Sequence, residues 1–185
     1  MKKRLIFTCM ILFLSTGIFG KERFMVSLTG YYLGPADSNY KDIYGKGMFS
    51  PEFKIGAKVS GSLYLWTGYG YLSAKGKTVG VFIEETKSSQ HFLSFGPGYT
   101  GNLTGKLDYL LELGLFHARY QEQALGEEVT GSALGLRVGF DVCYKIANHI
   151  YSGLTLGYSS ARDEVEKVRI HIGGFETGLR FIFRF

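Results

Sequence analysis

Apolar and polar positions alternate with a period of two through most of the chain. Between 53 and 60, Phe53, Ile55, Ala57 and Val59 fall on one face and Lys54, Gly56, Lys58 and Ser60 on the other. A helix would mix those two sets, whereas a strand sends successive side chains to opposite faces. The same beat recurs in Phe24–Leu33, His91–Tyr99, Leu107–Tyr120, Thr130–Tyr144 and Ile150–Ser160. Leu63–Ala74 is apolar or glycine on both parities, so it reads as a strand whose inward face is left open. A last strand is expected from about Val168 to Phe185, which makes eight.

The connections between these segments alternate in length. Gly34–Ser50, with Gly34-Pro35, Asp37 and Gly45 as breakers, and Lys75–Gln90 read as long loops. Gln121–Glu128 and Ala161–Lys167 continue that series more weakly, and Val79–Ile83 offers an extension of its hairpin. Gly61–Ser62, Thr100–Lys106 and Lys145–His149 read as short turns, and Pro97 is expected near a strand end. An even strand number puts both chain ends on the side of the short turns. That is the plan of outer-membrane barrels, which have short periplasmic turns and longer outside loops. About ten residues at roughly 3.3 Å each, tilted about 45°, cover about 23 Å, the height of such an apolar band.

Alternation alone suits a soluble barrel turned inside out as well. Three features favour the membrane. Phe185 is an aromatic terminal residue, glycines sit among the polar positions where a narrow lumen needs small residues, and Tyr and Phe gather at segment ends as interfacial girdles would. In Gly173–Phe185 the stripe Phe175, Thr177, Leu179, Phe181, Phe183, Phe185 opposes Glu176, Gly178, Arg180, Ile182, Arg184. A strand ending this way resembles the C-terminal signature of bacterial outer-membrane barrels. The chain as a whole resembles the small eight-stranded family, akin to the OmpA transmembrane domain, OmpX and OmpW. The resemblance implies an all-β, antiparallel, up-and-down transmembrane barrel in the outer membrane. It also implies that Phe181, Phe183 and Phe185 are read by the barrel-assembly machinery, and that outer-membrane lipid and lipopolysaccharide are its surroundings.

Residues 1–20 read as a cleaved signal peptide, with Lys2, Lys3 and Arg4 before the apolar run Leu5–Leu14. The barrel domain is then 21–185. Removing this leader takes the formal charge from +5 to +2, with 18 basic against 16 acidic residues left. The basicity belongs mostly to export and gives no reason to expect nucleic acid as a partner. Cys143 alone would remain, so no internal disulfide is expected.

The candidate chemistry lies on the inward parity. Lys54, Lys58, Arg137, Arg180 and Arg184 would share the lumen with Glu112, Asp141 and Glu176. Facing lipid, an Arg or Lys at the midplane would cost about 2–4 kcal/mol. Facing inward, these groups can pair as a network that fills the lumen, or line a path for ions or small solutes. Five bases against three acids predict a weak anion preference if the lumen conducts. His91, His117, His149 and His171 lack metal-ligand spacing, and no metal or cofactor is expected. The His-x-Ser pair of the lipid A deacylase type is missing, since Leu93, Arg119, Tyr151 and Gly173 stand two residues after the four histidines. The expected function is therefore non-enzymatic: envelope structure, or passage or binding of small molecules. The alternatives are a surface adhesion or partner-binding barrel acting through Gly34–Ser50 and Lys75–Gln90, and a lipid-modifying enzyme.

Overall fold

The computed structural model describes residues 23–78, 84–124, 126–165 and 168–185. The expected leader and the Val79–Ile83 extension lie outside the described residues. Eight strands follow in chain order: β1 (Phe24–Pro35), β2 (Met48–Ser60), β3 (Leu63–Lys77), β4 (Glu85–Thr104), β5 (Leu107–Ala124), β6 (Glu127–Ala147), β7 (Ile150–Val165) and β8 (Val168–Arg184). Each pairs antiparallel with its neighbours in sequence, and β1 pairs with β8, so the sheet closes as a barrel with no free edge. Backbone bonds complete the closure at the chain end. The Phe185 N–H donates to the Phe24 carbonyl at 2.8 Å, and the Phe24 N–H donates to the Phe185 carbonyl at 3.1 Å.

The strands run further than the alternation indicated. β4 spans 20 residues and β6 spans 21. Thr100–Lys106, Lys145–His149, Gln121–Glu128 and Ala161–Lys167 are therefore largely strand rather than loop, and the expected contrast of long and short connections is weaker on β5–β8. The reason is physical. Beyond the lipid both faces of a strand are polar, so the beat of two vanishes while cross-strand hydrogen bonding continues. Pro97 sits inside β4, not near its end. It keeps its pairing with Leu65 of β3, but the ladder to β5 has a gap between Phe95 and Gly98, where a proline cannot donate.

The stretch expected as the loop Gly34–Ser50 is shorter and partly ordered. It holds one helix, α1 (Ser38–Tyr44), capped by Asp37, whose Oδ1 accepts from the N–H groups of Asn39 at 2.9 Å and Tyr40 at 3.1 Å. Gly45, at φ 94°, ends the helix in a conformation that L side chains avoid. The Asp37 Oδ2 also accepts from the His171 N–H at 3.1 Å, tying α1 to β8. Tyr40 and Tyr44 of α1 pack on the apolar cluster beneath them, and Tyr40 Oη donates to Ser88 Oγ at 3.0 Å. The helix thus sits on the end of the barrel away from the chain termini.

The outer wall carries a continuous exposed apolar band. Leu28, Ile55, Leu65, Leu113, Val138, Leu154 and Leu179 all point outward. A soluble monomer rarely exposes more than a few hundred Å² of contiguous apolar surface, so this wall is built for lipid. Phe24, Tyr99, Tyr144 and Phe183 mark its edge near the termini, and Tyr32, Phe49, Tyr71 and Phe175 its edge near α1. Phe181 and Phe183 are exposed on this wall and Phe185 is half-buried beside them. None of the described helices is long and apolar enough to cross a membrane.

The interior is filled in layers. Toward α1 lies an apolar cluster that includes Tyr31, Leu33, Met48, Leu72, Phe92 and Phe116. Toward the termini lies a second, of Met25, Tyr64, Trp66, Leu110, Cys143, Tyr151 and Ile182. The open question on β3 is resolved by Tyr64, Trp66 and Leu72, which point inward while Leu65, Tyr69 and Tyr71 point out. Inward glycines make room for the large rings. A Cβ at Gly114 would come within 2.6 Å of the Trp66 ring.

Candidate functional site

Between the two apolar clusters lies a layer of buried charge. It forms because the inward parity of four strands, β2, β5, β6 and β8, brings charged groups to one depth, where they meet across a narrow lumen. Lys54 of β2 donates to Glu112 Oε2 of β5 at 2.6 Å and lies 3.2 Å from Glu52 Oε2 on its own strand. Arg180 of β8 takes Glu112 in a fork, with Nη1 to Oε1 and Nη2 to Oε2 both at 3.0 Å. The same Nη1 reaches Asp141 Oδ2 of β6 at 2.5 Å, and Nε donates to Thr29 Oγ1 at 3.1 Å. Arg137 of β6 is paired with Glu52 through Nη1, and its Nη2 reaches Glu176 Oε2 of β8 at 2.6 Å. Ser159 Oγ donates to Glu176 Oε1 at 2.7 Å, and Tyr64 Oη donates to Glu112 Oε1 at 3.1 Å.

The result is one unbroken chain of contacts: Glu176, Arg137, Glu52, Lys54, Glu112, Arg180, Asp141. Its cations also lie over rings of the flanking clusters. Lys54 Nζ is 4.5 Å from the Trp66 centroid, and the Arg137 guanidinium is 5.3 Å from that of Tyr31. Charge-assisted bonds of this kind are strong when both partners stay, and removal of one leaves the other stranded in low dielectric. The arrangement therefore binds its own members firmly. A cavity of about 10 Å³, lined by Tyr31, Phe92, Phe116, Arg137 and Glu176 among others, lies beside it. That is about the room of one water molecule.

Six of the eight residues expected in the lumen are buried in this layer: Lys54, Glu112, Arg137, Asp141, Glu176 and Arg180. The other two lie elsewhere. Arg184 sits nearer the termini, paired with Asp108 Oδ2 at 2.6 Å and stacked over Tyr151 at 4.1 Å. Lys58 is exposed at the mouth of the barrel, beside Arg23 and Gly61, and is not part of the buried layer. Its inward parity counts for little there, because the lumen has already opened to water.

Two acids of the interior were missed. Glu52 shares the parity of Lys54, but the strand was expected to begin one residue later. Asp108 shares the parity of Glu112 and lies four residues nearer the termini, paired with Arg184. Among the described residues the interior thus holds Lys54, Arg137, Arg180 and Arg184 against Glu52, Asp108, Glu112, Asp141 and Glu176. Four bases against five acids overturn the expected surplus of positive charge, and with it the anion preference. Of the four histidines, none belongs to a group of three or more potential metal ligands among the described residues.

At the α1 end the groups lie outside the lipid-facing band. Burial beneath α1 pushes the hydroxyls of Tyr40 and Tyr44 up from their ordinary values. The Glu122 carboxyl on β5 is also held above the usual carboxylate range. Burial is the main cause, a hydrogen bond from Ser88 partly offsets it, and the Asp37 carboxylate adds to it.

No family model matches the sequence, and no curated protein matches it. Solved structures do. Neisserial surface protein A superposes with a TM-score of 0.64 at 16% identity, covering 88% of this chain and 97% of its own. OprG from Pseudomonas aeruginosa gives 0.62 at 11% identity, covering 89% and 96%. The chain has the fold of the small eight-stranded outer-membrane β-barrels. The N-terminal barrel domain of Pseudomonas aeruginosa OprF agrees, at 0.55 and 15% identity over 89% of this chain and 98% of that one. With the exposed apolar band, this fold places the protein in the outer membrane. In barrels of this plan the short turns face the periplasm and the longer connections the outside; here the termini and the tight turns share one end and α1 lies at the other.

Proposed function

We propose that the protein is a non-enzymatic envelope barrel with a closed lumen, which anchors and stiffens a short extracellular rim rather than conducting solutes. The observation that carries this reading is the charged layer sealed between two apolar clusters. A solute would have to break buried ion pairs and then pass the rings of Trp66 and Tyr151 or of Tyr31 and Phe116. Residues 1–20 direct export, Phe181, Phe183 and Phe185 present the assembly signal, and membrane lipid and lipopolysaccharide surround the finished wall. Planar-bilayer recording of purified protein tests the closed lumen. We expect rare, small openings with a weak cation preference, since the interior carries one more acid than bases. Large, steady openings would overturn the closed lumen, and anion selectivity would overturn the charge count.

A second reading is favoured by the extracellular rim itself. There the strands continue past the apolar band and α1 is pinned by Asp37 to β8, which gives a rigid surface suited to holding a partner. Loss of surface binding on replacing Ser38–Tyr44 by a Gly/Ser linker, in a barrel that still folds, would support it.

A further inference from the structure

One cluster of polar groups faces outward, away from the lumen. At the upper end of the apolar wall two neighbouring strands turn His91, His117 and Arg119 toward the lipid side, His117 level with Leu93 and Leu134 and the other two above it. Cross-strand pairing brings them together. His91 of β4 lies opposite Arg119 of β5, and His117 lies two pairs below on the same face, opposite Leu93. On the other side His91 is opposite Tyr71 of β3, and Arg119 is opposite Ser132 of β6. The groups line an open concavity of about 880 Å³, together with Tyr69, Thr130 and Ser132. Among its lining residues there is no carboxylate.

The cluster is built rather than scattered. Tyr69 Oη lies 2.6 Å from His91 Nδ1, and the Tyr71 ring lies 5.0 Å from the imidazole, centroid to centroid. With Tyr69 donating, the proton of a neutral His91 sits on Nε2 and points a donor outward. Arg119 supplies a planar fork, the group best suited to two oxygens of one phosphate. The cluster stands at the upper edge of the apolar band, the depth at which lipid headgroups begin. Its shape, its donors and its freedom from acids fit an anion attached to lipid.

We propose that His91, His117 and Arg119 form a binding site for the phosphorylated sugar headgroup of the outer-leaflet glycolipid, lipid A. The volume suits a sugar phosphate, and the acyl chains lie down the wall over Leu93, Leu115 and Leu134. The proposal rests on the reading of α1 as the extracellular end, since only that leaflet offers this lipid to this face. It assigns a role to side chains that the closed lumen does not use.

The test uses the purified full chain in detergent micelles, with heat-modifiable migration as the check on folding and native mass spectrometry as the readout of bound lipid. The probes are bisphosphorylated lipid A, its dephosphorylated form, phosphatidylglycerol and inorganic phosphate as competitor. Retention of lipid A, at least about tenfold stronger than of the dephosphorylated form, is expected. Arg119→Gln and the double variant His91→Gln with His117→Gln should each weaken it by a similar factor. The charge-matched change Lys106→Gln, on a periplasmic turn, should leave it unaltered. Equal retention of the dephosphorylated form, or unchanged binding in folded R119Q and the double variant, overturns the site. Equal binding of phosphatidylglycerol, or displacement by millimolar inorganic phosphate, overturns the choice of lipid A. A folded, sealed barrel that retains no lipid A would sink this inference alone, whereas protein that fails to insert would sink the membrane reading with it.

Discussion

Glu112→Gln separates two ways of thinking about the charged interior. Counted as a sum, the change should help, because the interior goes from one excess negative charge to neutrality. Traced as contacts, it should harm. Glu112 accepts from Lys54 at 2.6 Å, from both Arg180 nitrogens at 3.0 Å and from Tyr64 at 3.1 Å. An amide keeps the shape but loses the charge, and its NH₂ would point a donor at one of these cations. Lys54 falls back on Glu52 at 3.2 Å and Arg180 on Asp141, so neither is fully stranded. Breaking a buried pair by removing one partner costs about 3–5 kcal/mol, and we place this variant at the lower end, about 3 kcal/mol, because of those second partners. Asp108→Asn is the comparison. It also removes one acid, but its partner Arg184 lies close to the mouth at the chain termini, where water screens the loss, and about 1 kcal/mol is expected. The assay is reversible urea unfolding in lipid vesicles followed by tryptophan emission. Trp66 is the single tryptophan of the chain and has Lys54 over its ring at 4.5 Å, so it reports the layer directly. If E112Q unfolds within about 1 kcal/mol of the parent, or if D108N matches its loss, local pairing does not govern this interior.

Three further outcomes follow from the same structure. Leu136→Arg, on the lipid wall, should cost about 2–4 kcal/mol and lower insertion, whereas Arg137→Leu should insert normally and lose stability by stranding Glu52 and Glu176; equal effects in vesicle unfolding would contradict the assigned faces. Deleting Phe185 should reduce the amount of heat-modifiable protein reaching the outer membrane more than it destabilises the barrel that does form, and normal folded levels would count against an assembly signal there. Glu122 binds its proton more tightly in the folded protein, so stability at the extracellular rim should fall as pH rises from the ordinary carboxylate range through its raised value. Glu122→Gln should remove that fall, seen as unchanged amide-exchange protection of Ser38–Tyr44 between pH 4 and pH 8 where the parent loses protection.

The lipid-spanning part of each strand was legible in the sequence, because lipid on one side and a packed lumen on the other impose opposite chemistry on successive residues. Phe53 and Lys54, or Leu136 and Arg137, announce their faces without any structure. The strand ends on the α1 side were not legible for the same reason in reverse. Where both faces meet water, as in Gln121–Ala124 or Arg162–Glu164, nothing in the sequence distinguishes a hydrogen-bonded strand from a loop. β3 failed differently, because Tyr64, Trp66, Tyr69 and Tyr71 are aromatic on both parities, and only its pairing with β2 and β4 turns Trp66 inward.

Of the charged layer, parity alone brought Lys54, Glu112, Arg137, Asp141, Glu176 and Arg180 to the inside. What parity could not decide was depth. Lys58 has the inward phase of Lys54 but lies four residues nearer the mouth, in water, while Glu52 lies two residues deeper and closes the chain between Arg137 and Lys54. Which acid meets which base depends on the stagger of eight strands around the ring. That stagger pairs Thr29 with both Arg180 and Glu52 and lets β2, β5, β6 and β8 meet across the lumen. The sequence by itself thus determined the faces of the wall. The closure of the sheet determined the contacts across it, because residues 151 positions apart, such as Thr29 and Arg180, become neighbours only when the first strand finds the last.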